Sequence, residues 1–142
     1  MRTREDWETG EPPADIRAAQ EAIAGAGHVV LFYPLWLGTM PALLKGFLEQ
    51  VLRQSFAFGG TPGQWNRGLR GRSARIVVTM GMPAAVYRWY FGAHSLRSLE
   101  RNVLGFCGIA PVRESLVGRV EGSARGRERW LARMDALGRR AR

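Results

Sequence analysis

The sequence predicts an α/β protein with a parallel sheet, and three observations support this class. Residues 29–33 (VVLFY) and 73–79 (SARIVVT) are short runs rich in β-branched residues, and a short final strand is predicted near residues 112–117. Runs of this kind are typical of strands that are buried on both faces. Amphipathic helical patterns separate and follow the three runs, and this alternation of strands and helices is typical of a parallel sheet covered by helices.

Four helices are predicted from apolar residues spaced three or four positions apart, because such residues lie on one face of a helix. The first covers residues 15–26 and the second follows Pro41, with Leu44, Phe47, Leu48, Val51 and Leu52 on one face. The third covers residues 95–104. The fourth covers residues 123–137, with an inward stripe formed by Trp130, Met134 and Leu137.

Length and composition indicate a single globular domain over residues 1–142. The chain is 46% hydrophobic and 23% charged, which is ordinary for a globular protein. No apolar run reaches the roughly 20 residues of a membrane span, so none is expected. Cys107 is the single cysteine, which excludes an internal disulfide and favours the cytoplasm. We expect Cys107 to be a small buried apolar residue.

The net charge of +9 raises the question of nucleic-acid binding. Of the 21 basic residues, 20 are arginine and only Lys45 is lysine, and they are spread along the chain. Basic and aromatic residues do not interleave as they do in RNA-binding sheets. We therefore expect a solvated basic surface and no nucleic-acid partner, although a nucleic-acid-binding module remains the weakest of three functional alternatives.

Residues 54–72 are rich in glycine and predict a long surface loop. The loop contains the aromatic residues Phe56, Phe58 and Trp65. Long loops in compact domains are often functional, but aromatic residues can equally serve to cover the end of a sheet. Both interpretations stay open at the level of the sequence.

Two loops are the first candidates for a binding site. Residues 34–40 follow the first predicted strand. Residues 79–83 begin with the last residue of the second predicted strand and continue into the loop after it. In open α/β sheets, ligands bind at the carboxyl ends of the strands. Both loops combine apolar residues with glycines, which allow close approach of the backbone to a ligand.

A specific resemblance extends over the first loop and the helix after it. The sequence PLWLGTMPALLKGFLEQVL followed by FAF, with Pro34, Trp36, Pro41, Lys45 and Gly46 in fixed places, resembles the signature of flavodoxin-like NAD(P)H:quinone reductases. That group includes ancillary subunits of potassium-efflux systems. The resemblance implies a flavodoxin-like three-layer parallel sheet, an FMN cofactor (FAD is possible), NAD(P)H as co-substrate, a quinone acceptor and a homodimer. The alternative is an ordinary buried strand and helix of another α/β protein.

The resemblance also implies the residues that hold the flavin. The first loop would line it with Pro34, Leu35, Trp36, Leu37 and Gly38, and the second with Thr79, Met80, Gly81 and Met82. Members of the family often have two adjacent glycines in the second loop, whereas here Met82 follows Gly81. The side chain of Met82 would narrow the space between this loop and the flavin ring.

Two catalytic residues are implied by the same resemblance. Tyr87 follows Thr79 by eight positions, the spacing at which quinone reductases carry a tyrosine, and it would also contact the cofactor. His94 corresponds to the family's histidine, but it follows Tyr87 by seven positions instead of six. A phenol can donate to a negative flavin oxygen, and an imidazole can supply a proton. The alternatives are a packed tyrosine and a surface histidine. We read His28 as structural, and no metal site is predicted.

The first strand of the flavodoxin-like order 2-1-3-4-5 leads into the loop that binds the FMN phosphate. Residues 1–13 are polar and residues 15–26 are predicted to be helical, so we expect the chain to lack that β-α-β unit. Strands three to five would remain, with residues 29–33 as an apolar edge that is available for pairing. Either the chain is truncated and binds flavin poorly, or a partner chain completes the sheet.

The main functional hypothesis is an FMN-dependent oxidoreductase that passes a hydride from NAD(P)H to a quinone or similar acceptor. The second is a non-catalytic regulatory subunit like the potassium-efflux ancillary proteins. Turnover of NAD(P)H with a quinone discriminates between them.

Overall fold

The computed structural model describes residues 10–59 and 66–140. The regular elements, in chain order, are α1 (Ala14–Gly25), β1 (His28–Pro34), α2 (Ala42–Val51), α3 (Gln54–Ala57), β2 (Phe58–Gly59), β3 (Asn66–Arg67), β4 (Ser73–Thr79), a π-helical segment (Val86–Tyr90), α4 (residues 94–107), β5 (Val112–Val117) and α5 (Ala124–Gly138). Within α4, residues Leu99–Leu104 are π-helical.

The main sheet consists of three parallel strands in the order β1-β4-β5. In the register, Leu31 is opposite Ile76, and Val78 is opposite Leu116. The predicted α/β class and the parallel sheet are confirmed. Strand β4 is central, and β1 has no partner on its outer side among the described residues.

The core lies on the face of the sheet that is covered by α2 and α4. Ile76 and Val78 of the central strand are fully buried, and they belong to one apolar cluster with Leu48 and Val51 of α2. Helix α4 adds Leu96, Leu99 and Leu104 to that cluster. These contacts fix the position of both helices under the loops at the carboxyl end of the sheet.

Polar contacts join the end of α2 to α1 and to the segment before α1. The buried side chain of Gln20 donates to the carbonyl of Val51 at 2.9 Å. The buried Arg53 guanidinium donates to the carbonyl of Gly10 at 2.9 Å and also to Gln50. A buried polar group without a partner is costly. These bonds therefore stabilise the position of the end of α2 against α1.

Strand β1 differs from the prediction that it is buried on both faces. Val30 and Phe32 are 54% and 61% exposed, whereas Tyr33 is buried. The reason is that β1 lies at the edge of the sheet, where only the face towards α2 is covered by described residues.

The prediction of a long loop over residues 54–72 was wrong in part. The segment contains α3 and an antiparallel pair formed by β2 and β3. The ring of Phe58 packs edge-on against Phe106, with 4.9 Å between the ring centroids. This contact covers the end of α4, while Trp65 lies outside the described residues.

Two helical regions also differ from the predictions. Helix α4 is longer than the predicted helix over residues 95–104, and the π-helical segment Val86–Tyr90 was not predicted. Helix α5 has the predicted stripe, but none of its residues is buried. Trp130, Met134 and Leu137 are half-buried. None of the helices in the described part of the chain has the length and apolar character of a membrane-spanning segment.

Candidate functional site

The first loop is a tight turn that exposes apolar side chains. The backbone N–H of Trp36 donates to the carbonyl of Thr39 at 2.9 Å, and the reverse bond is 3.0 Å. Leu37 and Gly38 between them have φ angles of 48° and 78°, as a two-residue type I′ turn requires. The turn projects Trp36 and Leu37 into solvent beside Gly38.

The second loop lies directly beside the first. The backbone N–H of Leu35 donates to the carbonyl of Thr79 at 2.8 Å, so the ends of β1 and β4 leave the sheet together. Met82 is exposed at the surface of this loop, whereas the side chain of Met80 is buried in the core.

Open space adjoins the backbone in both loops. A Cβ atom added to Gly38 or to Gly81 would meet no atom within 4 Å. A flat apolar ring needs such room next to the backbone and apolar walls on either side, and the exposed Trp36, Leu37 and Met82 supply those walls. The residues present therefore fit an isoalloxazine ring, and Pro34 and Leu35 are half-buried at the start of the first loop.

A third loop supports the second one, and no sequence pattern predicted its contribution. Met80 donates its backbone N–H to Val117 at 2.9 Å, and Val120 and Arg119 donate to Met80 and Met82, each at 3.1 Å. A Cβ at position 118 would lie 2.3 Å from the backbone nitrogen of Ala84. Glycine is thus required for this close approach, but a lone glycine in the sequence gave no signal of it.

Tyr87 lies on the π-helical segment with its side chain buried. Its hydroxyl group is 2.8 Å from the Oγ of Ser95, and either oxygen can be the donor. Short π-helical segments frequently occur at functional sites. Ser95 was not predicted as a site residue, because the two hydroxyls meet only after the chain reverses between the segment and α4.

His94 begins α4 and is exposed, immediately before Ser95. Its ring lies close to the backbone of Gly92, since a Cβ there would be 2.8 Å from the Nε2 atom. The structure thus brings Tyr87 and the start of α4 together through Ser95, and it leaves the imidazole of His94 open to solvent.

Tyr33 is a buried polar residue at the end of β1. Its hydroxyl oxygen is enclosed and has no hydrogen-bond partner among the described residues. Burial raises the pKa of the Tyr33 phenol far above its ordinary value, and the neighbouring Tyr87 raises it further. Tyr33 and Tyr87 both belong to the buried core cluster.

An apolar cavity of about 510 Å³ adjoins the first loop. Trp36, Leu37, Met40 and Leu99 line it, together with the hydroxyl-bearing Ser95 and Ser98. Lys45 also lines it. The cavity is therefore next to both the first loop and Ser95, the partner of Tyr87, and it has room for a small ring compound.

His28 lies at the amino end of β1, at the opposite end of the sheet from the two loops. Its Nδ1 is 2.8 Å from the Oγ of Ser73, and burial, followed by the charges of Arg75 and Arg113, lowers its pKa. This position agrees with a structural role. Within residues 10–59 and 66–140, no group of three histidine, cysteine or acidic side chains forms a cluster that could hold a metal ion.

Two curated proteins illustrate what the chain is similar to. It is 33% identical over 118 residues to human ribosyldihydronicotinamide dehydrogenase (quinone), a match that covers 77% of this chain and 49% of that protein. It is 38% identical over 74 residues to the glutathione-regulated potassium-efflux system ancillary protein of Enterobacter sp., covering 52% of this chain and 38% of that one. The chain spans about half the length of the first curated relatives it matches.

Solved structures share its fold. A Streptococcus mutans protein, Smu.1420, superposes with a TM-score of 0.79 at 26% identity, covering 97% of this chain and 71% of that one. General stress protein 14 of Treponema denticola, solved in complex with FMN, gives a TM-score of 0.67 at 29% identity and covers 87% and 73%.

The family model for the flavodoxin-like fold matches residues 2–138, almost the whole chain. Its parallel sheet and the paired loops at the carboxyl end of that sheet agree with this match. The chain belongs to the flavodoxin-like fold family.

Proposed function

We propose that this chain is an FMN-dependent oxidoreductase that reduces a quinone or a similar two-electron acceptor with NAD(P)H. The observation that carries the proposal is the pair of open, apolar loops joined by the hydrogen bond from Leu35 to Thr79. The FMN complex of a structural neighbour and the quinone-reductase name of a relative support it. FAD is the alternative flavin.

In the proposed reaction, NAD(P)H, a proton and a quinone give NAD(P)⁺ and a hydroquinone. Bound FMN supplies a two-electron carrier between the two substrates. The side chains of Trp36 and Leu37 would hold the flat ring and exclude water from one face. The adjoining cavity of about 510 Å³ has the size and apolar lining for the acceptor.

Tyr87 and His94 are the proposed catalytic residues. The phenol of Tyr87 can accept a hydrogen bond from Ser95 while it donates its own proton towards negative charge on the cofactor. His94 is solvent-exposed at the start of α4, where its imidazole can exchange protons with water and supply one to the reaction.

The substitution Tyr87→Phe tests this assignment, because it removes only the hydroxyl group. We expect turnover of NADPH with menadione to fall about hundredfold or more, with FMN binding retained. Tyr90→Phe is the matched control, since Tyr90 lies on the same π-helical segment and is exposed. Steady-state kinetics of both variants would contradict the assignment if the two changes had equal effects.

The second candidate is a non-catalytic regulatory subunit, which the potassium-efflux relative favours. A chain of this kind would bind flavin but would not turn over NADPH with any quinone. We also propose that the chain forms a homodimer, because Val30 and Phe32 at the outer edge of the sheet are exposed, and an apolar edge promotes pairing. The buried thiol of Cys107 is compatible with the cytoplasm as its location.

A further inference from the structure

Ser95 connects the proposed catalytic tyrosine with the cavity that adjoins the first loop. Its Oγ is 2.8 Å from the hydroxyl oxygen of Tyr87, and the same residue lines the cavity of about 510 Å³. Tyr87 is 2% exposed, whereas Trp36 and Leu37 on the wall of the cavity are exposed. A hydroxyl group therefore lies between a buried phenol and a cavity that solvent can enter.

The backbone that leads into Ser95 is strained, and it fixes this contact. Gly92 and Ala93 have positive φ angles of 65° and 48°, and the side chain of Ala93 is buried. The backbone N–H of Ala93 donates to the carbonyl of Tyr87 at 3.1 Å, so the chain reverses tightly there. A left-handed conformation is costly for alanine, and strain of this kind clusters at functional sites. The strained turn holds Ser95 against Tyr87.

The burial of Tyr87 requires a route for protons. In the proposed reaction the phenol donates its proton, so it must recover one before the next turnover. The phenol has almost no surface of its own for exchange with water. The hydroxyl group in contact with it belongs to Ser95, whereas the ring of the adjacent His94 lies close to the backbone of Gly92. Ser95 is therefore the residue best placed to return the proton.

We propose that Ser95 is a positioning residue for Tyr87 and passes protons to it from the cavity. When the phenol of Tyr87 gives up its proton, its oxygen takes the hydroxyl proton of Ser95. The oxygen of Ser95 in turn takes a proton from water in the cavity, so that one proton moves inward and both hydroxyl groups are restored. A serine hydroxyl suits this task because it can accept and donate at the same time. The assignment rests on the proposed function.

The first test measures how fast the hydroxyl proton of Tyr87 exchanges with water in the whole chain without flavin. The deuterium isotope shift of the tyrosine Cζ carbon reports this rate by NMR, and Tyr33→Phe and Tyr90→Phe identify the signal among the three tyrosines. We expect slower exchange in Ser95→Ala, because the route for the proton is lost. Ser95→Thr keeps the hydroxyl group and should restore the rate of the unmodified chain.

Ser98→Ala is the matched control for the exchange measurement. Ser98 lies about one turn further along α4 and lines the same cavity, and its hydroxyl accepts from Asn102 at 3.5 Å. The loss of this hydroxyl should leave the exchange rate of Tyr87 unchanged, because it removes a polar group from the cavity without touching the contact with the phenol.

The second test is turnover of NADPH with menadione in the chain with FMN bound. We expect Ser95→Ala to lower kcat about tenfold to hundredfold, because a hydrogen bond to a charged phenolate is lost. The solvent deuterium isotope effect on kcat should become larger, because delivery of the proton then limits the rate. A purely structural role of Ser95 would lower kcat and leave the isotope effect unchanged.

Three results would overturn the proposal. They are unchanged or faster exchange of the Tyr87 hydroxyl in Ser95→Ala, equally slow exchange in Ser98→Ala, and a lower kcat without a larger isotope effect. An unmodified chain that does not turn over NADPH would instead overturn the proposed function, and the exchange rates would still test the route through Ser95.

Discussion

At the scale of single residues, the first loop carries backbone strain where the ring is expected to bind. Leu37 has a φ angle of 48° and its side chain is fully exposed. A left-handed conformation costs an L-residue about 1–2 kcal/mol, and such strain clusters at functional sites. Leucine at this position thus contributes nothing to the core, which agrees with a role in ligand binding.

The substitution Leu37→Gly separates the backbone strain at this position from the role of its side chain in ligand binding. We expect the free energy of unfolding to stay the same or rise by up to about 1 kcal/mol, because glycine accepts the positive φ angle. FMN binding should weaken, because one apolar wall is lost. Leu37→Ala keeps the strain and removes the wall, so it should weaken FMN binding without any gain in stability. Urea unfolding and flavin titration measure both, and unaltered FMN affinity in the two variants would contradict the role of Leu37.

Cys107 gives a pH dependence to the folded state. Burial raises the pKa of its thiol from 9.0 to about 11. The folded chain therefore keeps the proton at a pH where the unfolded chain has lost it. The thiol's contribution to stability is complete below about pH 9 and is lost as the pH rises towards 11.

We expect the stability of the unmodified chain to fall more steeply over this range than that of Cys107→Ala, as measured by urea unfolding at several pH values. The alanine variant is the less stable of the two near neutral pH, because it leaves a small cavity. Parallel curves for the two chains would show that the thiol does not titrate in this way.

At the scale of elements, the bounds of the strands are predicted more successfully than the burial of their faces. The runs at residues 73–79 and 112–117 form strands with the predicted bounds. The reason is that β-branched residues favour strands over other secondary structure. Strand β1 was also predicted, but its exposed face was not. Burial on both faces depends on which elements cover a strand, and the strand's own residues do not encode that.

The two π-helical segments are a second feature that the local sequence pattern does not predict. Residues Val86–Tyr90 precede Gly92 and Ala93, both with positive φ angles, and the chain reverses there. Apolar spacing of three or four residues cannot distinguish a π-helical turn from an α-helical one. The contact between Tyr87 and Ser95 depends on this reversal, so the sequence predicts Tyr87 and misses its partner.

Substitutions in β1 and β4 test the order of the strands. At a protein concentration low enough to keep the chain monomeric, Val30→Thr on the exposed face of β1 should change the free energy of unfolding by less than about 0.5 kcal/mol. Ile76→Ala in the fully buried centre of β4 should lower it by about 2–5 kcal/mol. Denaturant unfolding of both variants is the measurement. A large loss for Val30→Thr would mean that another polypeptide covers this face in solution.

At the scale of the whole molecule, the two loops were predicted because topology determines where they meet. The carboxyl ends of neighbouring parallel strands lie at one edge of the sheet, so two loops that are 45 positions apart (Pro34 and Thr79) had to be adjacent. The loop around Gly118 and Arg119 joins them by the same rule, through its backbone bonds to Met80 and Met82. Its contribution was missed because a basic residue in an arginine-rich chain does not stand out.

The two loops are proposed to hold a flavin, and visible absorbance of the purified chain tests whether they do. The purified chain is incubated with FMN, desalted, and examined by visible absorbance. We expect a retained flavin band that is weaker in Leu37→Gly, because the ring is held by the two loops. A colourless chain after desalting, with no fluorescence quenching in a titration, would contradict the claim. The flavodoxin-like fold would then describe the architecture of the chain without its proposed activity.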